Sequence, residues 1–326
     1  MILAGDVGGT KTLLGLFEHA QGRLRVVRES SLPSRDYPSF VAMVEEFLAD
    51  TRRRPDRIAV GVAGPVVRGR SYVVNLRWPV DERRLARALK VKRVAVLNDL
   101  EATAWGIPEL ASRQVVSLTP RMRGRGGNGA LIAAGTGLGM ALLPWDGRRF
   151  FPCASEGGHQ EFAPRNELEI ELLRFLRVRH ARVSIERVVA GPGFSAIYQF
   201  LIESGRHRES ALMARRLAGA DDPNRVVSEA GMNGDDPAAE QAVDLFVSLY
   251  GSAAGDLALV AKATAGIWVG GGIAPKILPR MRSGTFIQSF RNKGRLSDLV
   301  ERIPVRVITE PRTALLGAAA RAARLE

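Results

Sequence analysis

The chain has a single cysteine, Cys153, in 326 residues. One thiol excludes an internal disulfide and cannot supply the several thiolates of a structural zinc site, so a reducing cytoplasm is the expected compartment. Lysine is scarce too: of 47 basic residues, 41 are arginine and 6 are lysine. That bias is spread along the whole chain, and its runs "TRRRPDR", "RMRGRGG" and "RFLRVRHAR" lie far apart. The formal net charge of +13 therefore reads as a solvated basic surface, and with aromatics at only 6% there is no platform for stacking bases. No nucleic-acid partner is expected. Long hydrophobic runs are also missing: "ALIAAGTGLGMALLPW" is broken by glycines, and Asp6 interrupts "MILAGDVGG" where a signal peptide would need its apolar core. No membrane partner is expected either.

What is there is enough for a large core. At 46% hydrophobic residues over 326 positions the chain exceeds the ~250–300 residues at which single cores divide, and two domains are expected. The opening "MILAGDVGGTKTLLGLFE" reads as strand, glycine turn and second strand over Leu13–Phe17. "RIAVGVAGPV" and "RVAVLND" are buried-strand runs, with helical periodicity between them in "YPSFVAMVEEFLADT" and "DERRLARALK". "NGALIAAGTGLGMALLPWDGRR" repeats the strand, glycine turn, strand theme. Helices are expected to dominate Glu167–Lys262, with "AGADDPNRVVSEAGMNGDDP" as a polar loop in their midst. "GIWVGGGIAPKIL" gives a strand, a triple glycine and a helix start, and a strand and an Ala-rich helix close the chain. The class is α/β.

Neither glycine turn fits a common phosphate fingerprint. "GDVGGTKT" has Thr10 where the second glycine of GxxxxGK[ST] belongs, and a β-rich segment follows where a Walker loop must open a helix. "GTGLG" is GxGxG and also leads into a strand. Each alone is an ordinary hairpin. Two together, followed by "VGGGIAP", point to anion-binding concavities made of backbone N–H groups, with threonine as an added donor and an Asp able to hold a metal ion between phosphate oxygens.

In "CASEGGHQEFAP", Glu156 and His159 lack further ligands nearby for a metal and lack a plausible nucleophile for a triad. The remaining reading is a clamp for a polar ligand, with the carboxylate accepting hydrogen bonds and the imidazole completing them. Asp99, ending the apolar run "VAVLND", is the best general base, since ligands of α/β sheets sit at the carboxyl ends of strands; the structural alternative is that Asn98-Asp99 merely caps a helix starting at Leu100. His19, His180 and His207 lie outside any motif and read as surface or packing residues.

The set "GDVGGTK", "LNDLEA", "AGTGLG", "SEGGHQEFAP", "SIERVVAGPG" and "VGGGIAPKIL" resembles, in order and over essentially the whole chain, the bacterial glucokinases of the sugar-kinase, actin-like ATPase superfamily. The resemblance is to the zinc-free branch, because the zinc-bearing one needs several cysteines. It implies a two-domain actin-like ATPase (ribonuclease H-like) fold with an interdomain cleft. The expected division is a small domain 1–108, joined by the C-terminal helix 310–326, and a large domain 109–309. It implies a cytoplasmic homodimer that phosphorylates D-glucose with ATP as co-substrate and Mg²⁺. Asp99 would be the catalytic base; Asn98, Asp99, Glu156, His159 and Glu186 would bind glucose. Gly5, Asp6, Val7, Gly8, Gly9, Thr10, Thr136, Gly137, Gly271 and Gly272 would hold the nucleotide, with Asp6 organising Mg²⁺, directly or through water. Lys11 stands where that branch commonly has Asn, which bears on the choice of donor among ATP, ADP and polyphosphate. The competing classes are a kinase for another hexose and a sugar-responsive regulator. Regulators of this superfamily carry a DNA-binding module ahead of the kinase fold, whereas this sequence opens on the phosphate hairpin.

Overall fold

The structure is a computed structural model describing residues 1–326 except 52, 74, 75, 121, 123 and 125, so parts of the basic runs at 51–57 and 121–127 lie outside the described residues. The chain divides into two units: Met1–Gln114 with Phe151–Ala154 and Glu310–Glu326, and Val115–Phe150 with Ser155–Thr309.

The first unit is built on β1 (Ile2–Val7), β2 (Lys11–Ala20) and β3 (Arg23–Pro33), an antiparallel meander. Helix α1 (Phe40–Phe47) follows, started by Ser39, whose side chain accepts from the Ala42 N–H. Strand β4 (Arg57–Val62) then pairs parallel with β1. A separate ribbon of β5 (Arg70–Val73) and β6 (Trp78–Asp81) leads into α2 (Glu82–Leu89), capped by Asp81. Strand β7 (Arg93–Asn98) pairs parallel with β4, and α3 (Asp99–Gly106) begins at its end. The sheet order is β3-β2-β1-β4-β7. Alternation along β1 puts Ile2 and Ala4 against Leu315 and Ala319 of the C-terminal helix Thr313–Ala323, and Leu3 and Val7 in a second core with Phe40 and Met43 of α1. With both faces buried, the central strands carry near-continuous apolar runs.

The second unit contains β8 (Val115–Ser117), the hairpin β9 (Gly129–Ala134) and β10 (Leu138–Leu143), and Ser155, the last residue of the short β11 (Cys153–Ser155). Its helices begin with α4 (Glu167–Arg179), α5 (Gly191–Glu203) and α6 (Ala211–Ala218). Next comes α7 (Pro223–Asn233), which corrects the expected polar loop. Asp222 accepts from the Arg225 N–H, Pro223 occupies the first turn, and Gly234 closes the helix in the left-handed region, so this polar stretch has both helix-start and helix-stop chemistry. Its Val227 and Ala230 are buried.

Helix α8 (Pro237–Ala261) is, among the described residues, the one helix long and apolar enough to cross a bilayer, and 72% of its apolar window is buried inside the protein. Strands β12 (Gly266–Gly270) and β13 (Val305–Ile308) run parallel to β9, and β8 pairs antiparallel with β13. The order β10-β9-β12-β13 repeats β2-β1-β4-β7 of the first unit, hairpin partner first and two parallel crossovers after. The duplicated strand, turn, strand motif is thus the start of a duplicated half-sheet. Both turns lie at the carboxyl ends of their first strands, where α/β sheets bind ligands.

Candidate active site

In the first unit, register aligns the candidates. Asp6 sits level with Gly61 and Leu97, and Val7 with Val62 and Asn98, so Asp6 near the end of β1 and Asp99, the residue just after β7, lie at the same end of the sheet. Helix α3 starts at Asp99 because Asn98 caps it: Asn98 Oδ1 accepts from Leu100 N–H at 2.9 Å and from Glu101 N–H at 3.4 Å. Asn98 Nδ2 donates to the Gly64 carbonyl at 3.1 Å. The cap is therefore real and occupies Asn98 Oδ1, while an amide nitrogen carries two hydrogens, and the second is the one suited to a ligand. Asp99 Oδ1 lies 2.8 Å from Leu100 N.

Burial first and the Asp99 carboxylate second, opposed by Lys11, raise the Asp6 carboxyl from 3.8 to about 6. A raised carboxyl favours the protonated folded state, so ionisation costs stability that grows as pH climbs from 3.8 to about 6 and is fully felt above that. Asp6→Asn is accordingly expected to stabilise the fold by about 3 kcal/mol at pH 7–8, with the gain gone below the unfolded value. Denaturant titrations of both proteins at pH 7.5 and near pH 3.5 check this. Equal stabilities at pH 7.5 would refute the buried-charge account.

The turn after β1 is closed by Gly8 N–H donating to the Lys11 carbonyl at 3.1 Å. It is anchored by a residue that sequence reasoning missed, Ser34. The Ser34 hydroxyl donates to the Gly8 carbonyl at 2.8 Å, its N–H donates to the Thr10 carbonyl at 2.9 Å, and its oxygen is 2.9 Å from the buried Thr12 hydroxyl. Thr10 and Lys11 themselves are exposed. No local pattern marks Ser34, because its partners lie more than twenty residues away and meet it only when β3 closes the meander.

In the second unit, Gly135 N–H donates to the Gly137 carbonyl at 2.8 Å and leaves Thr136 exposed at the tip. Gly271 follows β12 with φ +82, and a Cβ there would stand 2.2 Å from the Ala134 carbonyl; nothing lies within 4 Å of such an atom on Gly272. Gly271 is thus demanded by the fold as well as by any nucleotide, and Gly272 borders open space.

Glu156 heads a 3₁₀ turn over Gly157–His159, and Glu186 lies in another over Ile185–Arg187. Backbone bonds from Phe162 N–H to the Val183 carbonyl at 3.0 Å and from Ile185 N–H to the Gln160 carbonyl at 2.8 Å lace the two segments together. His159 Nδ1 consequently comes within 3.8 Å of Glu186 Oε1. Glu156 and His159 are exposed, and Cys153, in what reads as an apolar lead-in, is exposed as well. Of the other histidines, His207 is 2.6 Å from Gln241 Oε1, a packing contact.

A sequence model of the glucokinase family matches residues 3–325. The chain belongs to the glucokinase family. The glucokinase of Trichormus variabilis is 40% identical over 340 residues, spanning 100% of this chain and 99% of that protein. That of a Caulobacter species is 35% identical over 318 residues, spanning 97% and 93%. The crystal structure of glucokinase from an Antarctic psychrotroph has a TM-score of 0.87 at 30% identity over 99% of this chain and 98% of that one. A ROK family glucokinase from Streptomyces griseus, solved with glucose and AMPPNP, shares the fold at a TM-score of 0.63 and 21% identity, with 99% of each chain covered. The fold is that of the actin-like ATPase sugar kinases, and the protein is an enzyme of this family.

Proposed function

We propose that this enzyme transfers the γ-phosphoryl group of ATP to the 6-hydroxyl of D-glucose, forming glucose 6-phosphate and ADP. The observation that carries the reading is the placement of Asp99 at the head of α3, at the carboxyl end of a parallel strand, with Asp6 at the same end of the sheet. Asp99 accepts the hydroxyl proton as the oxygen attacks, the role phosphoryl transfer to an alcohol asks of a base. Asn98, Glu156, His159 and Glu186 hold the sugar hydroxyls, the carboxylates accepting and the ring and amide nitrogens donating. The turns Gly5–Thr10 and Thr136–Gly137, with Gly271 and Gly272, hold the phosphates through backbone N–H groups and threonine hydroxyls.

Among the described residues no group of three or more His, Cys, Asp or Glu is placed to hold a metal ion. Asp6, a single carboxylate beside the first glycine turn, would suit Mg²⁺ arriving with the nucleotide, an ion that uses one or two carboxylates, waters and phosphate oxygens. When bound, Mg²⁺ supplies charge neutralisation between the phosphates. A cytoplasmic homodimer acting on small molecules, and neither nucleic acid nor membrane, completes the reading; the single exposed thiol suits a reducing compartment, and arginines dispersed over both units suit a solvated basic surface.

Glucose alone should stabilise the protein by about 2.7 kcal/mol at a hundredfold excess over Kd, a rise in Tm of a few degrees for a chain of this size. A non-bound polyol should give no saturable shift. Glu156→Gln and His159→Ala should each move the glucose midpoint to roughly tenfold higher concentration, through loss of hydrogen bonds worth ~1.5 kcal/mol. An unchanged midpoint in both refutes the sugar clamp.

A further inference from the structure

Glu186 faces two ways. Its Oε1 is the oxygen near His159 Nδ1, at 3.8 Å, and its Oε2 accepts the backbone N–H of Leu138 at 2.9 Å. Leu138 is the first residue of β10 after the second phosphate turn, 48 positions away in sequence. The turn is pressed onto the same carboxylate, for a Cβ on Gly137 would stand 2.7 Å from Glu186 Oε2. One further bond ties the segment bearing Glu186 to the turn, from Gly191 N–H to the Gly135 carbonyl at 2.8 Å, and the turn itself is closed by Gly135 N–H donating to the Gly137 carbonyl. The sugar-side loop rests there as well, because a Cβ on Gly158 would fall 1.9 Å from the Leu138 carbonyl.

From this geometry we infer that Gly137 and the Leu138 N–H are positioning groups for sugar binding, and that the sugar and phosphate-donor sites are coupled through the Glu186 carboxylate. The inference rests on the proposed sugar clamp. A carboxylate is planar and rigid, so an oxygen held by Leu138 N–H dictates where the other oxygen points. Sugar hydroxyls on the outer oxygen in turn hold the inner one against the turn, and with it the Leu138 N–H and the Gly135–Gly137 loop. Displacement of the turn would rotate the sugar-binding oxygen; occupancy of the sugar site would set the turn in the form the phosphates meet. Linkage then requires glucose to tighten a nucleotide by the same factor as the nucleotide tightens glucose. A Cβ on Gly137 pushes Oε2 off its N–H, while glutamine at 186 offers one acceptor oxygen where the carboxylate offers two, and cannot serve both sites.

The test measures glucose Kd by calorimetry without nucleotide, and AMPPNP Kd with and without saturating glucose. The proteins are wild type, Gly137→Ala, Glu186→Gln and Gly219→Ala, the last a change at the end of α6, where a Cβ would meet nothing nearer than the Arg215 carbonyl at 3.9 Å. The wild type should show a coupling factor of about fivefold or more, the lower end of ordinary coupling between sites. Gly137→Ala should weaken glucose by a similar factor in the absence of nucleotide, and Gly219→Ala should not. In both Gly137→Ala and Glu186→Gln the coupling factor should fall towards one. A folded Gly137→Ala protein that binds glucose within twofold of wild type overturns the inference. Full coupling in Glu186→Gln overturns it as well, and decides the matter should Gly137→Ala fail to fold. If Glu186→Gln also binds glucose as wild type does, the error lies in the sugar clamp itself.

Discussion

Asp99→Asn is expected to lower kcat by ~10²–10⁴, the usual worth of a positioned general base, with glucose affinity and folding nearly intact. Asparagine has the volume of aspartate, and its amide oxygen can take over the place of Asp99 Oδ1, 2.8 Å from Leu100 N. The Asn98 cap is untouched, so α3 should start where it does now. What disappears is the oxygen that can accept the hydroxyl proton. A second consequence follows from the charge: the Asp99 carboxylate is one of the groups that hold Asp6 up near 6, so its removal should lower the Asp6 carboxyl and shrink the stability that Asp6 ionisation costs at neutral pH. A merely structural Asp99 would move stability and leave turnover alone. Retention of more than about a tenth of wild-type kcat, measured at saturating glucose and ATP, would remove Asp99 from the role of base.

Gly317→Ala should be the most destabilising single methyl that the chain can receive near the catalytic helix. In an exposed helix the change would gain about 1 kcal/mol from propensity. Here the C-terminal helix lies so close to α3 that a Cβ on Gly317 would sit 1.7 Å from the Ala102 carbonyl and 2.4 Å from the Gly106 nitrogen. The approach is reciprocal, since a Cβ on Gly106 would stand 2.1 Å from the Thr313 carbonyl. Both obstacles are backbone, which cannot swing aside as a side chain can, so the helices must separate. Separation opens the core where Leu315 and Ala319 pack on Ile2 and Ala59. The net loss is expected at about 2–4 kcal/mol, the upper range for overpacking. Because α3 begins with Asp99, the surviving folded fraction should also turn over more slowly. Denaturant midpoints with unchanged m-values would report the stability loss directly; a midpoint equal to or above wild type would show that the two helices have room to spare.

The glycine turns, the buried strands and the strand-to-helix step at Asn98-Asp99 were legible in the sequence because their determinants are local. A turn depends on the φ preferences and side chains of a few consecutive residues, and a cap on an oxygen two or three positions from the N–H it accepts. By the same logic α7 has its own local signals, Asp222-Pro223 at its start and Gly234 at its end, but the aspartates on either side and the Asn, Ser and Glu within it give the stretch the composition of a polar loop.

Other features had no local signature. Ser34 anchors a turn 26 residues before it, Leu138 presents its N–H to a carboxylate 48 residues after it, and Gly317 exists for the sake of Ala102. Each depends on which strand lies beside which, and on separations fixed to a few tenths of an ångström. Residue type and spacing do not encode such distances. They arise only when the burial of both sheet faces and the full pairing of backbone groups have brought distant segments together.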